Sequence, residues 1–118
     1  MPSMITLYGI PNCDTVKKAR TWLQTHGVAH TFHDFKKQGI AQNLLEQWEN
    51  QLGWEKLLNK KGTTWRQLPP EVQASTMDAP SAIALLVSHP SAIRRPVVVW
   101  PSAVTVGFDP DQWAARLP

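Results

Sequence analysis

Cys13 is the only cysteine of the chain, and its thiol offers the most specific chemistry of any side chain here. The residues before it, Gly9-Ile10-Pro11-Asn12, form a turn signal after an apolar segment, and a helical pattern follows. The free N–H groups in the first turn of a helix favour negative charge, and the thiolate is the reactive form of cysteine. We therefore predict that Cys13 lies in the first turn of a helix and acts as a nucleophile.

The residues after Cys13 supply backbone donors and charge. Asp14 and Thr15 place N–H groups near the sulfur, although the Asp14 carboxylate opposes a second negative charge. Positive charge follows at Lys17, Lys18 and Arg20. We expect the helix terminus and the basic residues to prevail and to favour the thiolate at neutral pH. The alternative is a buried cysteine that acts as a small apolar side chain. The predicted position of Cys13 is the carboxyl edge of a sheet, where open α/β folds bind ligands, and this position favours the functional interpretation.

Val16 stands three residues after Cys13, where a second cysteine would resolve a mixed disulfide within the protein. Any disulfide turnover must therefore use an external thiol, and glutathione is the expected one. A lone cysteine forms no internal disulfide, and the sequence shows neither a leader pattern nor an apolar run of about 20 residues. We expect the protein in the reducing cytosol, away from membranes.

Arg95 and Pro96 precede an apolar segment of strand type. The Arg95 guanidinium could bind an oxyanion or a carboxylate through two donors, with an exposed surface charge as the alternative. The bond to Pro96 is a candidate cis peptide, although trans is the ordinary state of such bonds. Residues 60–66 form a polar, basic stretch that we interpret as a solvated loop with one aromatic anchor, in which Lys61 or Arg66 could face an anionic thiol at Cys13.

The histidines and the net charge exclude other classes of site. His30 and His33 lie three residues apart on a predicted strand and point to opposite faces, so we predict no metal site. The net charge of +3 is divided among short clusters with no long basic run. Nucleic acid binding is therefore only weakly indicated, and a small anionic ligand fits this charge better.

Hydrophobic periodicity indicates the elements that must position these residues. The predicted order is a strand at Met4 to Tyr8, a helix from its Asn12 cap to Gly27, a parallel strand within 28–35, helices over 40–58 with a break at Gly53, a short helix at 69–72, a longer helix between Asp78 and His89-Pro90, strands at 97–100 and 104–108, and a helix at 109–117. This βαβ, insertion, ββα order predicts an α/β fold with a mixed four-stranded sheet and helices on its faces. We expect one domain over residues 1–118, with a helical insertion at about 40–90.

Four segments in combination resemble the YffB branch of the arsenate reductase (ArsC/Spx) family. They are YGIPNCDT at 8–15, GWEKLLN at 53–59, GTTWR at 62–66 and RPVV at 95–98. The resemblance spans nearly the whole chain and implies a thioredoxin-like fold with a helical insertion. It also implies that Cys13 is the nucleophile and that Pro96 is a cis proline beside it.

The resemblance implies three alternative functions. In the YffB branch it suggests glutathione-dependent thiol-disulfide reduction, in which the Cys13 thiolate attacks a mixed disulfide and a second glutathione releases the adduct. Arsenate reductases of the family use three arginines around the oxyanion, whereas here only Arg95 aligns, and Asn59 and Gly107 occupy the other two places. Spx-type regulators bind RNA polymerase and often carry a two-cysteine switch that Val16 removes, which leaves a binding protein without a switch.

We adopt the first function as our expectation, with glutathione as the thiol co-substrate and no metal or nucleotide. Arg95 with nearby bases is then expected to hold the glutathione carboxylates. The residues expected to contact glutathione or the substrate are Asn12, Asp14, Thr15, Lys61, Arg66, Arg95 and Pro96.

Overall fold

The computed structural model describes residues 5–117, so the Met4 end of the first predicted strand lies outside the described residues. The strands are β1 (Thr6–Gly9), β2 (Thr31–Asp34), β3 (Val97–Val99) and β4 (Val104–Val106). The helices are α1 (Asp14–Thr25), α2 (Phe35–Gln38), α3 (Gln42–Leu52), α4 (Trp54–Leu57), α5 (Thr63–Arg66), α6 (Pro70–Ser75), α7 (Ala79–Ser88) and α8 (Pro110–Arg116), with a 3₁₀ turn at Pro90–Ala92.

The four strands form one mixed sheet in the order β2-β1-β3-β4. β1 and β2 are parallel and are joined by the crossover helix α1, whereas β3 is antiparallel to both β1 and β4. Because β1 and β2 end at the same edge, the segments that follow them leave the sheet on the same side. The sheet confirms the predicted βαβ and ββα halves.

The two faces of the sheet bury separate clusters of apolar side chains. On one face, Leu7 and Val98 pack with Val16 of α1 and Trp113 of α8. On the other face, Val97 packs with side chains from the insertion that include Leu45, Trp48, Leu57 and Leu86. The faces alternate because successive strand residues point to opposite sides. α1 and α8 therefore cover one face, and the helical insertion covers the other.

The insertion follows the predicted pattern. α3 ends at Leu52, and its C-cap Gly53 has a φ of 84°, in the left-handed region that favours glycine; α4 begins at Trp54. Asp78 caps α7 through a capping box with Ser81, and His89 ends that helix. Among residues 5–117, no helix is both long enough and apolar enough to cross a bilayer.

Several predicted boundaries are wrong for local reasons. Cys13, not Asn12, is the N-cap of α1, so the cysteine lies one position before the first turn. The second strand ends at Asp34 because the Asp34 side chain accepts a hydrogen bond from the Lys36 N–H and starts α2. β4 ends at Val106, since Gly107 adopts a φ of 87°.

The predicted loop at residues 60–66 is also partly wrong. Thr63–Arg66 forms a helical turn, α5, and Gly62 is its N-cap residue. The Lys60 ammonium lies over two indole rings, 5.8 Å from the centroid of Trp54 and 5.5 Å from that of Trp65. Lys60, Lys61 and Arg66 are exposed, as predicted, and these cation–π contacts join Lys60 to two aromatic rings rather than to one aromatic anchor.

Candidate active site

The site begins where β1 passes into α1. Gly9 is the last residue of β1, and Val16, in the first turn of α1, packs so closely on it that no side chain fits between them. The intervening turn is closed by the N–H of Cys13, which lies 3.4 Å from the carbonyl oxygen of Ile10. Cys13 is thereby held directly above the carboxyl end of the central strand β1.

Cys13 is the N-cap residue of α1, and its thiol is free and partly exposed. Its backbone is extended, with φ of −98° and ψ of 124°, and its carbonyl oxygen accepts the first helical hydrogen bond from Lys17 at 2.9 Å. The side chain contacts the apolar clusters on both faces of the sheet. Cys13 therefore sits over the end of the sheet, packed against both apolar clusters and partly exposed to solvent.

Helix geometry supplies the electrostatics of this position. The N–H groups of Asp14, Thr15 and Val16 precede the Lys17 N–H, which is the first to find an acceptor within the helix. These three donors and the dipole of a twelve-residue helix favour an anion at the N-cap. The side chains of Asn12, Asp14 and Thr15 are exposed beside the thiol, where they can contact a ligand.

Arg95 and Pro96 directly precede the neighbouring strand β3, at the same edge of the sheet. The antiparallel register pairs Tyr8 with Val97, which places Pro96 one residue further on, beside Gly9. The Arg95-Pro96 bond is cis, as the resemblance implied and in contrast to the ordinary trans state. Pro96 is buried, whereas Arg95 is partly exposed and its guanidinium has no hydrogen-bond or ion-pair partner within residues 5–117. Its guanidinium donors are therefore not engaged by other described side chains or backbone groups.

Lys61 and Arg66 belong to a different segment, which joins the site through the approach to β3. The Asn59 N–H donates to the carbonyl oxygen of Ala92 at 2.9 Å, and the Arg94 N–H donates to that of Leu57 at 2.7 Å. These bonds hold the start of the basic stretch beside the segment that leads to Arg95. Both Lys61 and Arg66 are exposed, and across the described residues no hydrogen bond or ion pair ties them to residues 10–15.

Asn59 and Gly107 stand at the two positions that the resemblance assigns to arginines in arsenate reductases, and local contacts define the conformation of each. The Asn59 amide oxygen accepts a hydrogen bond from the Lys61 N–H at 3.1 Å, and its nitrogen would lie 2.9 Å from a Cβ on Gly62. Gly107 has a φ of 87°, in the left-handed region, and its N–H donates to the Pro96 carbonyl oxygen at 2.9 Å. A longer side chain at position 107 would carry the cost of that backbone conformation.

The histidines lie in separate places. His33 Nε2 is 2.7 Å from the carbonyl oxygen of Gly39, and His30 precedes β2 rather than lying in it. His26 and His89 are the C-cap residues of α1 and α7. Within residues 5–117, no three side chains of histidine, cysteine, aspartate or glutamate are grouped closely enough to hold a metal ion.

The grooves on the surface of the protein lie away from the Cys13 side chain. Cys13 does not line any of five well-formed grooves on the described part of the chain, whose volumes lie between about 270 and 690 Å³. One groove, along the outer side of α1, begins at Lys17, one helical turn after the thiol. Cys13 is thus partly exposed and lies next to this groove along the chain.

Sequence reasoning missed Gly9 as a positioning residue. Its place between Tyr8 and the turn was a usable signal, because glycine at the end of a strand often marks a close approach of another backbone or side chain. It also missed Phe108 and Trp22, which line the groove on α1 and whose proximity depends on tertiary packing.

A single thiol at the N-terminus of the first helix, next to a cis proline at the edge of a β2-β1-β3-β4 sheet, defines a thioredoxin-like domain of the one-cysteine class. The model of the ArsC family matches residues 8–116, and the chain belongs to this family.

Individual relatives cover almost the whole chain. The solved structure of the YffB protein is 46% identical and superposes with a TM-score of 0.92, over 97% of this chain and 99% of that one. An uncharacterised protein of Haemophilus influenzae is 43% identical over 95% of this chain and 97% of its own length. The global transcriptional regulator Spx 1 of Lactococcus lactis is 30% identical over 98% of this chain and 90% of its own.

Proposed function

We propose that this protein is a glutathione-dependent thiol-disulfide reductase that uses Cys13 as its nucleophile. The observation that carries the proposal is the partly exposed Cys13 thiol at the N-cap of α1, in a chain with no second cysteine. The three N–H groups of the first turn have no acceptor within the helix, and the partial exposure of Cys13 leaves an approach for a disulfide. A lone nucleophile of this kind needs an external thiol to complete a turnover.

The reaction balances as two thiol-disulfide exchanges. The Cys13 thiolate attacks the glutathionyl sulfur of a mixed disulfide, the S–S bond breaks, and the other thiol leaves with the electron pair and takes a proton from solvent. A second glutathione, as its thiolate, then attacks the glutathionyl sulfur bound to Cys13. Oxidised glutathione leaves, and the Cys13 thiolate is restored.

Arg95 is the residue best placed to hold the glutathionyl group. Glutathione carries two carboxylates, and a guanidinium with free donors binds a carboxylate through two parallel hydrogen bonds. Pro96 lies next to the end of β1, from which the Cys13 turn leaves the sheet, so a peptide-like ligand bound to Cys13 passes Pro96 before it reaches Arg95. Lys61 and Arg66 are the second set of cations that the same ligand could reach.

Reduction of arsenate is the weaker candidate. Of the three arginine positions that the resemblance assigns to arsenate reductases, only Arg95 carries a guanidinium. Gly107 occupies a left-handed backbone conformation, and Asn59 uses its amide oxygen to bind the Lys61 N–H. One cation is a poor match for an oxyanion of high charge density, whereas it is sufficient for a carboxylate.

Binding to RNA polymerase without a redox switch is the second candidate, because a relative named Spx 1 is 30% identical over nearly the whole chain. Val16 replaces the second cysteine and is completely buried, so this chain has no pair of thiols to oxidise at that site. The Cys13→Ser variant separates the two functions. It retains polymerase binding if the chain is a binding protein, and it loses disulfide reduction if the chain is a reductase.

The proposed activity is tested by steady-state reduction of hydroxyethyl disulfide by glutathione, coupled to glutathione reductase and NADPH. We expect turnover by the wild-type protein, none above background by Cys13→Ser, and full turnover by Gln24→Ala, which changes an exposed residue elsewhere on α1. Equal rates for the wild type and Cys13→Ser would refute the proposal.

A further inference from the structure

A groove of about 520 Å³ runs along the outer side of α1 from the end nearest Cys13. We define it as the α1 groove. One wall is formed by Lys17, Lys18, Thr21 and Trp22, and the other by Phe108 and Pro110 at the start of α8. Thr25 and His26 lie at its far end. The α1 groove is thus the cleft between the two helices that cover the same face of the sheet.

The walls of the α1 groove are aromatic and are held in place. The rings of Trp22 and Phe108 both contact the buried indole of Trp113 edge-on, at centroid distances of 5.6 Å and 4.9 Å. The Trp22 ring also stacks on His26 at 3.9 Å. Because both walls rest on one buried ring, the cleft between them is preorganised for a flat, apolar group.

The end of the α1 groove nearest the thiol is positively charged. Lys17 and Lys18 lie about one helical turn after Cys13, and neither forms an ion pair within residues 5–117. Phe108 closes the same end from the other side, because it follows Gly107, whose N–H binds the Pro96 carbonyl oxygen. No acid lines the groove: Asp109 and Asp111 flank the lining residue Pro110 in the chain, and the Asp109 carboxylate accepts a hydrogen bond from the Gln112 N–H as the N-cap of α8. Apolar walls with cations at one end match an aromatic group that carries a carboxylate.

We propose that the α1 groove binds the thiol that leaves when Cys13 attacks, and that it selects aromatic thiols that bear an anionic group. This inference rests on the proposed reductase activity and specifies its substrate class. The glutathionyl half of the mixed disulfide lies towards Pro96 and Arg95, and the aryl half lies along α1. Attack by the Cys13 thiolate on the glutathionyl sulfur breaks the S–S bond, and the aryl thiolate departs with the electron pair beside Lys17 and Lys18.

Single-turnover kinetics test the selection, with dithiobis(nitrobenzoate) as the aromatic, anionic disulfide and hydroxyethyl disulfide as the small, neutral one. Thr21→Glu places a carboxylate inside the groove, and Gln24→Glu adds the same charge to an exposed site of α1 outside it. We expect Thr21→Glu to slow the aromatic disulfide about threefold to fivefold, as for the loss of a favourable surface ion pair, and to leave the neutral one unchanged. Gln24→Glu is expected to leave the ratio of the two rates unchanged.

Equal slowing of both disulfides by Thr21→Glu, or equal effects of the two glutamate variants on the aromatic one, would overturn the inference. Binding is measured separately from chemistry by quenching of tryptophan fluorescence with nitrobenzoate, in Cys13→Ser and in Cys13→Ser with Thr21→Glu. We expect saturable quenching that weakens by a similar factor in the double variant. Absence of saturable quenching contradicts the groove, whereas absence of disulfide turnover with intact quenching contradicts the reductase activity alone.

Discussion

A Cβ atom on Gly9 would lie 2.7 Å from Cγ2 of Val16, closer than two carbon atoms approach in folded proteins. Val16 is completely buried, and Gly9 is the last residue of the central strand. The first turn of α1 therefore rests on bare backbone, and this contact fixes how far the helix N-terminus stands above the sheet. The position of Cys13 depends on it, since Cys13 is the residue immediately before that turn.

Gly9→Ala is expected to destabilise the protein by about 1–3 kcal/mol, because the added methyl group forces α1 away from β1. The free energy of unfolding in urea measures the effect. Val16→Ala in the same chain makes room for the methyl group, so the double variant is expected to lose less stability than the two single variants added together. Additive losses would show that the two residues do not contact each other.

Arg95→Ala is expected to raise the KM for glutathione about tenfold or more, since a hydrogen bond to a charged group contributes about 1.5–3 kcal/mol. Arg94→Ala is the matched control, because Arg94 is the exposed neighbour and its N–H, not its side chain, bonds to Leu57. Steady-state kinetics at varied glutathione concentration separates the two variants. If both arginine variants raise the KM equally, the effect is a general one of charge and Arg95 has no specific role.

Tyr8, the only tyrosine, is expected to ionise late in an alkaline titration. Burial raises its pKa above the ordinary value of 10.0 because the phenolate is poorly solvated among its aromatic neighbours. A raised pKa means that the folded state favours the neutral phenol. The contribution of the neutral phenol to stability is therefore present below pH 10 and is lost as the pH rises through the raised pKa of the folded state. Phenolate absorbance, followed in the native protein and in urea, measures both midpoints. A titration midpoint of Tyr8 in the native protein at or below its midpoint in urea would contradict the raised pKa.

The Asp78 carboxylate is expected to stabilise the N-terminus of α7 at neutral pH and to lose this effect in acid. The side-chain hydrogen bond from Ser81, at 2.6 Å, and then the bond from the Ser81 N–H lower the pKa of Asp78 below its ordinary value of 3.8. A lowered folded pKa gives stability that is present above pH 3.8 and is lost as the pH falls through the folded value. Asp78→Ala should therefore lower the Tm at neutral pH, and the difference from the wild type should shrink below about pH 3.8.

Ser81→Ala is the companion variant, because it removes the largest cause of that pKa shift and retains the carboxylate. Its Tm is expected to fall less than that of Asp78→Ala. A difference between the wild type and Asp78→Ala that stays constant from neutral pH to below 3.8 would contradict the role of the ionised carboxylate.

Much of the fold could be predicted because its signals are local. Gly53, the Asp78 cap and the apolar runs at 97–100 and 104–108 correctly indicated the break in the insertion, the start of α7 and the hairpin. The start of α1 was misplaced by one residue because Asn12 is the better cap by type. In the structure Asn12 remains in the turn, and Cys13 caps the helix through its backbone alone.

The candidate site was predictable in its nucleophile but not in its surroundings. A lone cysteine after a strand and a turn is visible in the sequence, whereas the cis bond before Pro96 was indicated only by resemblance. The helical turn α5 was missed, since two lysines and a glycine before it are typical of exposed chain and the anchoring of Lys60 between Trp54 and Trp65 depends on tertiary contacts. The convergence of Trp22 and Phe108 on Trp113 likewise joins distant parts of the chain.

Intact mass spectrometry after incubation with oxidised glutathione tests the role of Cys13 most directly. The account predicts that the native protein gains one glutathionyl group on Cys13, faster than the urea-unfolded chain, and that reduced glutathione then removes it. The reason is that only the folded chain holds the thiol at the N-terminus of α1. A native protein that gains no adduct, or gains it no faster than the unfolded chain, would contradict the account.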